Sequence, residues 1–255
     1  MPSAATRKKG TSVDSANTAL FGQNLTFAAK EAYKLLRTNL MFSLPELPDG
    51  RGYVIGITSS LRGEGKSTTT INLAATLAEQ GERVLVIEAD LRLPSLHKKL
   101  QVSPKPGLSN ILVSRADPTR FIQRVEVGAL NEQKIGFDVM TAGDIPPNPS
   151  ELIGSSRMKQ RLEKLSASYN FILLDLPPVT AVTDALVATS LVDGIVMVVR
   201  NEYTDSGSLK EAMRQLKLVE AKMLGFVYTC AGTSSNSYRK RYKYRYYSDY
   251  ESGKQ

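Results

Sequence analysis

The chain has very little of what holds metals and cross-links folds. It carries one cysteine, Cys230, and one histidine, His97, in 255 residues. A single thiol excludes an internal disulfide and any thiolate cage within the chain, and argues against relatives that share an iron–sulfur cluster. A single imidazole cannot build a histidine metal site, and His97 reads as a solvated residue near a helix start. Long apolar runs are missing as well. No stretch approaches the roughly 20 residues of a membrane span. The opening segment, with Arg7, Lys8 and Lys9, lacks the apolar stretch of a signal peptide. These absences point to a cytoplasmic chain. A broad basic face is also absent, despite a net charge of +8. Residues 1–20 contribute +2 and residues 238–255 contribute +4, so the body is nearly balanced. No specific nucleic-acid partner is expected from that distribution. What remains is ordinary for a globular fold, with 42% hydrophobic and 23% charged residues. The length suits one α/β domain with short extensions.

The most informative stretch is Ser59-Ser60-Leu61-Arg62-Gly63-Glu64-Gly65-Lys66-Ser67-Thr68. The apolar run Tyr53–Thr58 leads into it, and a helical pattern from Thr68 to Gln80 leads out. Strand, glycine-bearing loop, Lys-Ser and helix is the layout of a phosphate-binding loop. Glycines let the backbone wrap closely and turn N–H groups inward, and the helix N-terminus adds partial positive charge. Arg62, Gly63, Glu64, Gly65, Lys66, Ser67 and Thr68 form the nucleotide-binding segment. Lys66 reaches the β- and γ-phosphates of ATP, and the Ser67 hydroxyl ligates Mg²⁺. The motif fits at every position but its first, where Ser60 stands for glycine.

Carboxylates close the apolar strands that follow. Arg83–Glu88 is a second buried strand, ending in Glu88-Ala89-Asp90-Leu91-Arg92. Phe171–Asp175 is another, followed by Leu176-Pro177-Pro178. Acids at strand C-termini lie on the ligand side of a parallel sheet. Asp175 has the form of the second acidic motif of phosphate-loop enzymes, where a carboxylate orders the Mg²⁺ shell. Glu88 and Asp90, two residues apart, share one strand edge, where they either hold a metal-bound water, accept a proton, or stand as solvated charges. Further strands are expected at Phe137–Thr141, Gly194–Val199 and Leu224–Tyr228. Helices are expected over Gly107–Leu112, from Ser150 through Leu165, and over residues 205–220. Apolar strands alternating with helices give a mostly parallel sheet flanked by helices.

The two ends differ from the body. Residues 1–25 read as a disordered arm. An amphipathic helix follows over residues 26–42, with Thr26 placed to cap it. Its Glu31, Lys34 and Arg37 form either a solvated stripe of i, i+3 pairs or a contact with another subunit. At the other end, Tyr238, Tyr242, Tyr244, Tyr246, Tyr247 and Tyr250 are six of the chain's eleven tyrosines, interleaved with Arg and Lys. With no aliphatic residue to build a core, residues 233–255 read as a flexible tail. Such a tail suits single-stranded nucleic acid, an anionic membrane surface, or phosphate acceptance by the tyrosines. The folded domain spans residues 26–232.

Taken together, these stretches resemble the bacterial tyrosine kinases of capsular and exopolysaccharide synthesis, in their stand-alone cytoplasmic form. The resemblance covers roughly residues 26–250. It rests on Glu31–Asn39, Thr58–Thr68, Ala89–Arg92 with Pro94, Gly107–Asn110, Ala142-Gly143 with Ile145–Leu152, Asp175 with Pro177-Pro178, and the tyrosine-rich tail. It implies the fold of the partition and division-site ATPases. It implies transfer of the γ-phosphoryl of ATP to protein tyrosine, with Mg²⁺, and tail tyrosines as acceptors between subunits. Lys66 then stabilises the transferring group, while Ser67, Asp90 and Asp175 serve the metal. Asp90 or Glu88 acts as base, and Arg92 lies by the phosphates or at a subunit contact. Glu31, Lys34 and Arg37 match a ring-forming motif of a homo-oligomer. A separate transmembrane activator, the polysaccharide co-polymerase, is implied as the partner that recruits the kinase to the inner face of the plasma membrane. Four residues depart from the family pattern: Glu88 for Asp, Lys34 for Arg, Thr229 for an Asn that recognises the base, and Leu176 for Thr. The rival readings are a partition-type ATPase and a non-catalytic nucleotide-switched scaffold. The first usually has an extra lysine early in the loop, where this chain has Ser59, Ser60 and Leu61.

Overall fold

The computed structural model describes residues 25–47, 50–114, 116–130 and 133–231. The N-terminal arm up to residue 24 and the tyrosine-rich tail lie outside the described residues. The first helix, α1 (Phe27–Ser43), is capped as expected, with Thr26 Oγ1 accepting from the Ala29 N–H at 3.3 Å. Then β1 (Tyr53–Ser59) leads through the loop into α2 (Lys66–Ala78) and β2 (Val84–Glu88). Short helices α3 (Leu96–Leu100) and α4 (Leu108–Val113) precede the hairpin of β3 (Gln123–Leu130) and β4 (Gln133–Met140). The rest alternates: α5 (Pro149–Ile153), α6 (Ser156–Ser166), β5 (Phe171–Asp175), α7 (Asp184–Ala188), β6 (Gly194–Arg200), α8 (Ser206–Leu218) and β7 (Met223–Thr229).

Among the described residues, seven strands form one sheet in the order β3-β4-β2-β5-β1-β6-β7. Every pairing is parallel except β3 with β4. The alternation of strand side chains sorts two cores. Ile55, Ile57, Val84, Val86, Phe171, Leu173, Val196 and Val198 pack with Ile71, Leu73 and Leu77 of α2. Leu85, Ile87, Ile172, Leu174, Ile195 and Met197 pack with Met158, Leu162 and Leu165 of α6 and Leu216 of α8. Strands covered on both faces explain why their sequences are continuously apolar. The register sets Glu88 beside Asp175 and Asp175 beside Ile57, two residues before the end of β1. The acids and the phosphate loop therefore share one edge of the sheet.

Two expectations are corrected. The helix expected from Ser150 to Leu165 is broken at Gly154. A Cβ there would stand 2.8 Å from the Val187 side chain, so α5 and α7 approach through the missing side chain. Ser155 restarts the helix, its hydroxyl accepting from the Met158 N–H at 3.2 Å. Ser150 is no cap; it lies in α5 and bonds Asp184. The second correction is β3, not anticipated as a strand, which lengthens β4 into an antiparallel edge hairpin.

The entry to the central strands is tied by one carboxylate. Asp193, just before β6, holds Arg51 by two bonds of 3.0 and 2.7 Å and accepts from the Val54 N–H at 2.8 Å. Removing it strands the Val54 N–H and frees Arg51, while the β1–β6 ladder remains. Asp193→Ala is expected to lower stability by about 2–4 kcal/mol in urea unfolding, and Asp193→Asn, which keeps an acceptor for Val54, by clearly less. Equal losses would show that the Val54 bond does not matter.

Candidate active site

A cleft of about 860 Å³ opens at the sheet edge where β1 ends. Its floor is the loop Arg62–Thr68, and Asp90, Arg92, Lys99, Pro178, Arg200 and Thr229 are among its walls. The loop's conformation explains its glycines. Gly63 and Gly65 have φ of +86° and +97°, a region closed to most side chains. Gly65 sits at the N-cap of α2, so Lys66 and Ser67 begin the helix facing the cleft.

The loop's carbonyls are held outward by donors from elsewhere in the chain. The Thr180 hydroxyl donates to Ser60 O at 2.6 Å, and the Tyr203 hydroxyl to Arg62 O at 2.9 Å. Arg200 donates to Gly63 O at 3.0 Å, and the Thr229 hydroxyl to Glu64 O at 2.7 Å. Glu64 is fully buried, and its carboxylate accepts from the Leu61 N–H at 2.8 Å and from the Thr204 hydroxyl. Its side chain therefore shapes the loop, and only its backbone is left for a phosphate. Thr229, at the position where the resemblance leads one to expect an Asn, also works on the loop.

The charged residues take distinct places. Lys66 Nζ lies 3.2 Å from Asp90 Oδ2, while Asp90 Oδ1 accepts from the Leu93 N–H at 3.1 Å. Asp175 is buried at the end of β5, and its Oδ1 has no donor among the described residues. Burial pushes its pKa up to about 6, against the pull of Lys66 and the Ser67 hydroxyl, with Glu88 and Asp90 adding repulsion. Glu88 stands apart from the cleft walls. Its Oε1 accepts from Ser95 N–H and, at 2.6 Å, from Leu96 N–H, and its Oε2 accepts from Ala142 N–H at 3.2 Å. Burial raises its pKa, and those three donors hold it down. Glu88 is thereby a brace for the loop that carries Asp90 and Arg92. Arg92 lines the cleft, but its guanidinium grips buried Asp184 with bonds of 2.9 and 3.1 Å and reaches Ser150 at 3.3 Å.

The donor set suits Mg²⁺. Among the described residues no three His, Cys, Asp and Glu side chains make a complete cage. Magnesium asks for less: one or two carboxylates, hydroxyl or water oxygens, and the phosphates it arrives with. The bare Oδ1 of Asp175, the Ser67 hydroxyl and Asp90 supply oxygen donors of that kind.

On α1, Glu31 and Lys34 pair with each other at 2.7 Å, and Arg37 donates to Thr76 O of α2 at 3.0 Å. Two members of the stripe thus make the i, i+3 pair, and the third docks α1 on the helix behind the phosphate loop. Tyr33 on the same helix reaches the cleft wall. The sequence reading did not single out Arg200, Tyr203, Thr204, Thr180 or Asp184. Arg200 alone carried a signal, a cation at the end of an apolar strand on the ligand side.

A buried carboxylate with a raised pKa opposes folding once it ionises. Stability linked to Asp175 is fully present below pH 4 and lost as pH rises through about 6. Asp175→Asn is therefore expected to stabilise the nucleotide-free protein at pH 7 by about 1–3 kcal/mol, with no gain near pH 4, while abolishing the Mg²⁺ dependence of nucleotide binding. Thermal melts at the two pH values check this, and a gain equal at both would refute it.

Comparison with known proteins agrees with this geometry. The family model of an AAA domain matches residues 52–225. The septum site-determining protein MinD of Pyrococcus horikoshii, with Mg-ADP, aligns at TM-score 0.57 and 24% identity over 72% of each chain, which supports the fold alone. The kinase domain of Escherichia coli tyrosine kinase ETK aligns at TM-score 0.72 and 32% identity, covering 84% of this chain and 82% of that one. Full-length Etk of strain K12 is much longer, and the match spans 26% of it. Tyrosine-protein kinase YwqD of Bacillus subtilis (strain 168) is 36% identical over 217 residues, 85% of each chain. On that shared length and fold, the chain belongs to the bacterial tyrosine-protein kinases built on an AAA domain.

Proposed function

We propose that this chain transfers the γ-phosphoryl group of ATP to protein tyrosine, with Tyr238, Tyr242, Tyr244, Tyr246, Tyr247 and Tyr250 of a neighbouring copy as acceptors. The observation that carries this reading is the Lys66–Asp90 pair at the mouth of the phosphate loop, 3.2 Å apart. Lys66 exchanges Asp90 for the phosphates as nucleotide enters. Asp90 is then free to accept a proton. Tyrosine, with a pKa near 10, is a poor nucleophile at neutral pH, and a carboxylate beside its hydroxyl corrects that. The phenolic oxygen forms the new P–O bond, the bond from the γ-phosphorus to the β–γ bridging oxygen breaks, and ADP leaves. Bound Mg²⁺ supplies charge neutralisation on the phosphates. Ser67 and Asp175 are the residues that would hold it, which leaves Asp90 for the proton. Glu88 acts from behind, keeping the Asp90 loop in place.

The wider setting follows from the family. The kinase regulates capsular or exopolysaccharide synthesis as a homo-oligomer, with α1 at the contact between copies. Among the described residues no helix is long and apolar enough to cross a membrane. A separate transmembrane activator recruits the kinase to the inner face of the plasma membrane.

Intact mass after incubation with Mg-ATP tests the central claim. Phosphate additions are expected, none of them on Lys66→Ala, and those that map to the tail, up to six, are lost from a chain truncated before Tyr238. ADP without phosphoprotein would favour a partition-type ATPase. Asp90→Asn is expected to lower transfer by about 10²–10⁴-fold while Mg-ADP affinity stays within a few-fold. Undiminished transfer would remove Asp90 as the base.

A further inference from the structure

The turn Asn201–Thr204, between β6 and α8, clamps the phosphate loop from its open side. Tyr203 is its centre. The ring is stacked by Arg200, whose guanidinium carbon lies 5.0 Å from the ring centroid, and Arg200 in turn holds Gly63 O. The hydroxyl donates to Arg62 O at 2.9 Å. A Cβ on Gly63 would stand 3.5 Å from that hydroxyl, so ring and loop are in close apposition. Yet Tyr203 is 49% exposed. The preceding residue, Glu202, has φ +56°, a conformation a short surface turn gives up readily. An accessible phenol thus sits on the nucleotide-binding loop of an enzyme whose proposed chemistry modifies phenols.

We propose that Tyr203 is a regulatory phosphorylation site that switches nucleotide affinity, a proposal that rests on the kinase reading above. A second copy transfers the γ-phosphoryl of ATP to Tyr203 Oη. The Oη–P bond forms, the bond from the γ-phosphorus to the β–γ bridging oxygen breaks, ADP leaves, and the hydroxyl proton passes to Asp90 of that second copy. The modified side chain no longer has a proton to donate to Arg62 O, and its oxygens repel that carbonyl. It also brings about −1.5 to −2 of charge at pH 7 beside Arg62 and Arg200. Guanidinium prefers phosphate to a neutral carbonyl, so Arg200 is drawn off Gly63 O. The loop then loses two of its outward anchors, and its amides lose the arrangement that binds phosphate.

The full-length chain supplies the test. Trypsin cuts after Arg200 and after Lys210, and the peptide between them has Tyr203 as its sole tyrosine. After incubation with Mg-ATP, phosphate is expected on this peptide as well as on tail peptides. Phosphate on the tail alone would overturn the proposal and leave the kinase reading standing. Phosphate on no peptide would remove both. Tyr203→Phe keeps the ring and loses only the donor, so Mg-ADP, measured by calorimetry, is expected to bind about 3- to 10-fold more weakly at an unchanged melting temperature. In a chain with the six tail tyrosines changed to Phe, the pool phosphorylated at Tyr203 is expected to bind Mg-ADP at least 10-fold more weakly than the unmodified pool. Equal affinities in either comparison would overturn the switch.

Discussion

A loop that binds phosphate with backbone N–H groups must turn its carbonyls the other way, and donors placed behind the loop hold them there. This constraint organises the molecule. Ser60, Arg62, Gly63 and Glu64 each find a donor, from the β5–α7 connection, the turn after β6, the end of β6 and the end of β7 respectively. Those donors lie 120, 141, 137 and 165 residues away in sequence. The parallel sheet gathers the ends of its strands on one side and so delivers distant side chains to a ten-residue loop. The loop is shaped by its glycines and fixed by its neighbours.

Three carboxylates on that edge show how environment assigns roles. Glu88 is saturated by backbone donors and behaves as structure. Asp90 faces a lysine across a cleft and can exchange that partner. Asp175 is buried with one oxygen bare, a state that suits an incoming cation. Glu88, one of two candidates for the base in the sequence, instead carries its carboxylate to the Ser95, Leu96 and Ala142 amides.

The central strands were legible in the sequence because strands covered on both faces must be apolar throughout, and Phe171–Asp175 needed no revision. The phosphate loop was legible because its glycines and Lys-Ser occupy fixed offsets. The β3 strand was missed because it is an edge strand with a bulge between Glu126 and Gly128, which cuts the alternation of Arg124–Val127 short. The break at Gly154 was missed because the close approach of Val187 that glycine permits comes from another helix. Most of the loop's outer anchors left no trace, since a hydroxyl donating to a distant carbonyl has no characteristic spacing. Arg37 illustrates the same limit: its stripe was visible, but its bond to Thr76 depends on how α1 lies on α2.

The bare oxygen of Asp175 ties the fate of the polypeptide to its ligand. Anything that binds the folded form and relieves that buried charge adds its binding free energy to the fold. A chain filled with magnesium nucleotide opens less often, and opened chains are the ones that proteases cut.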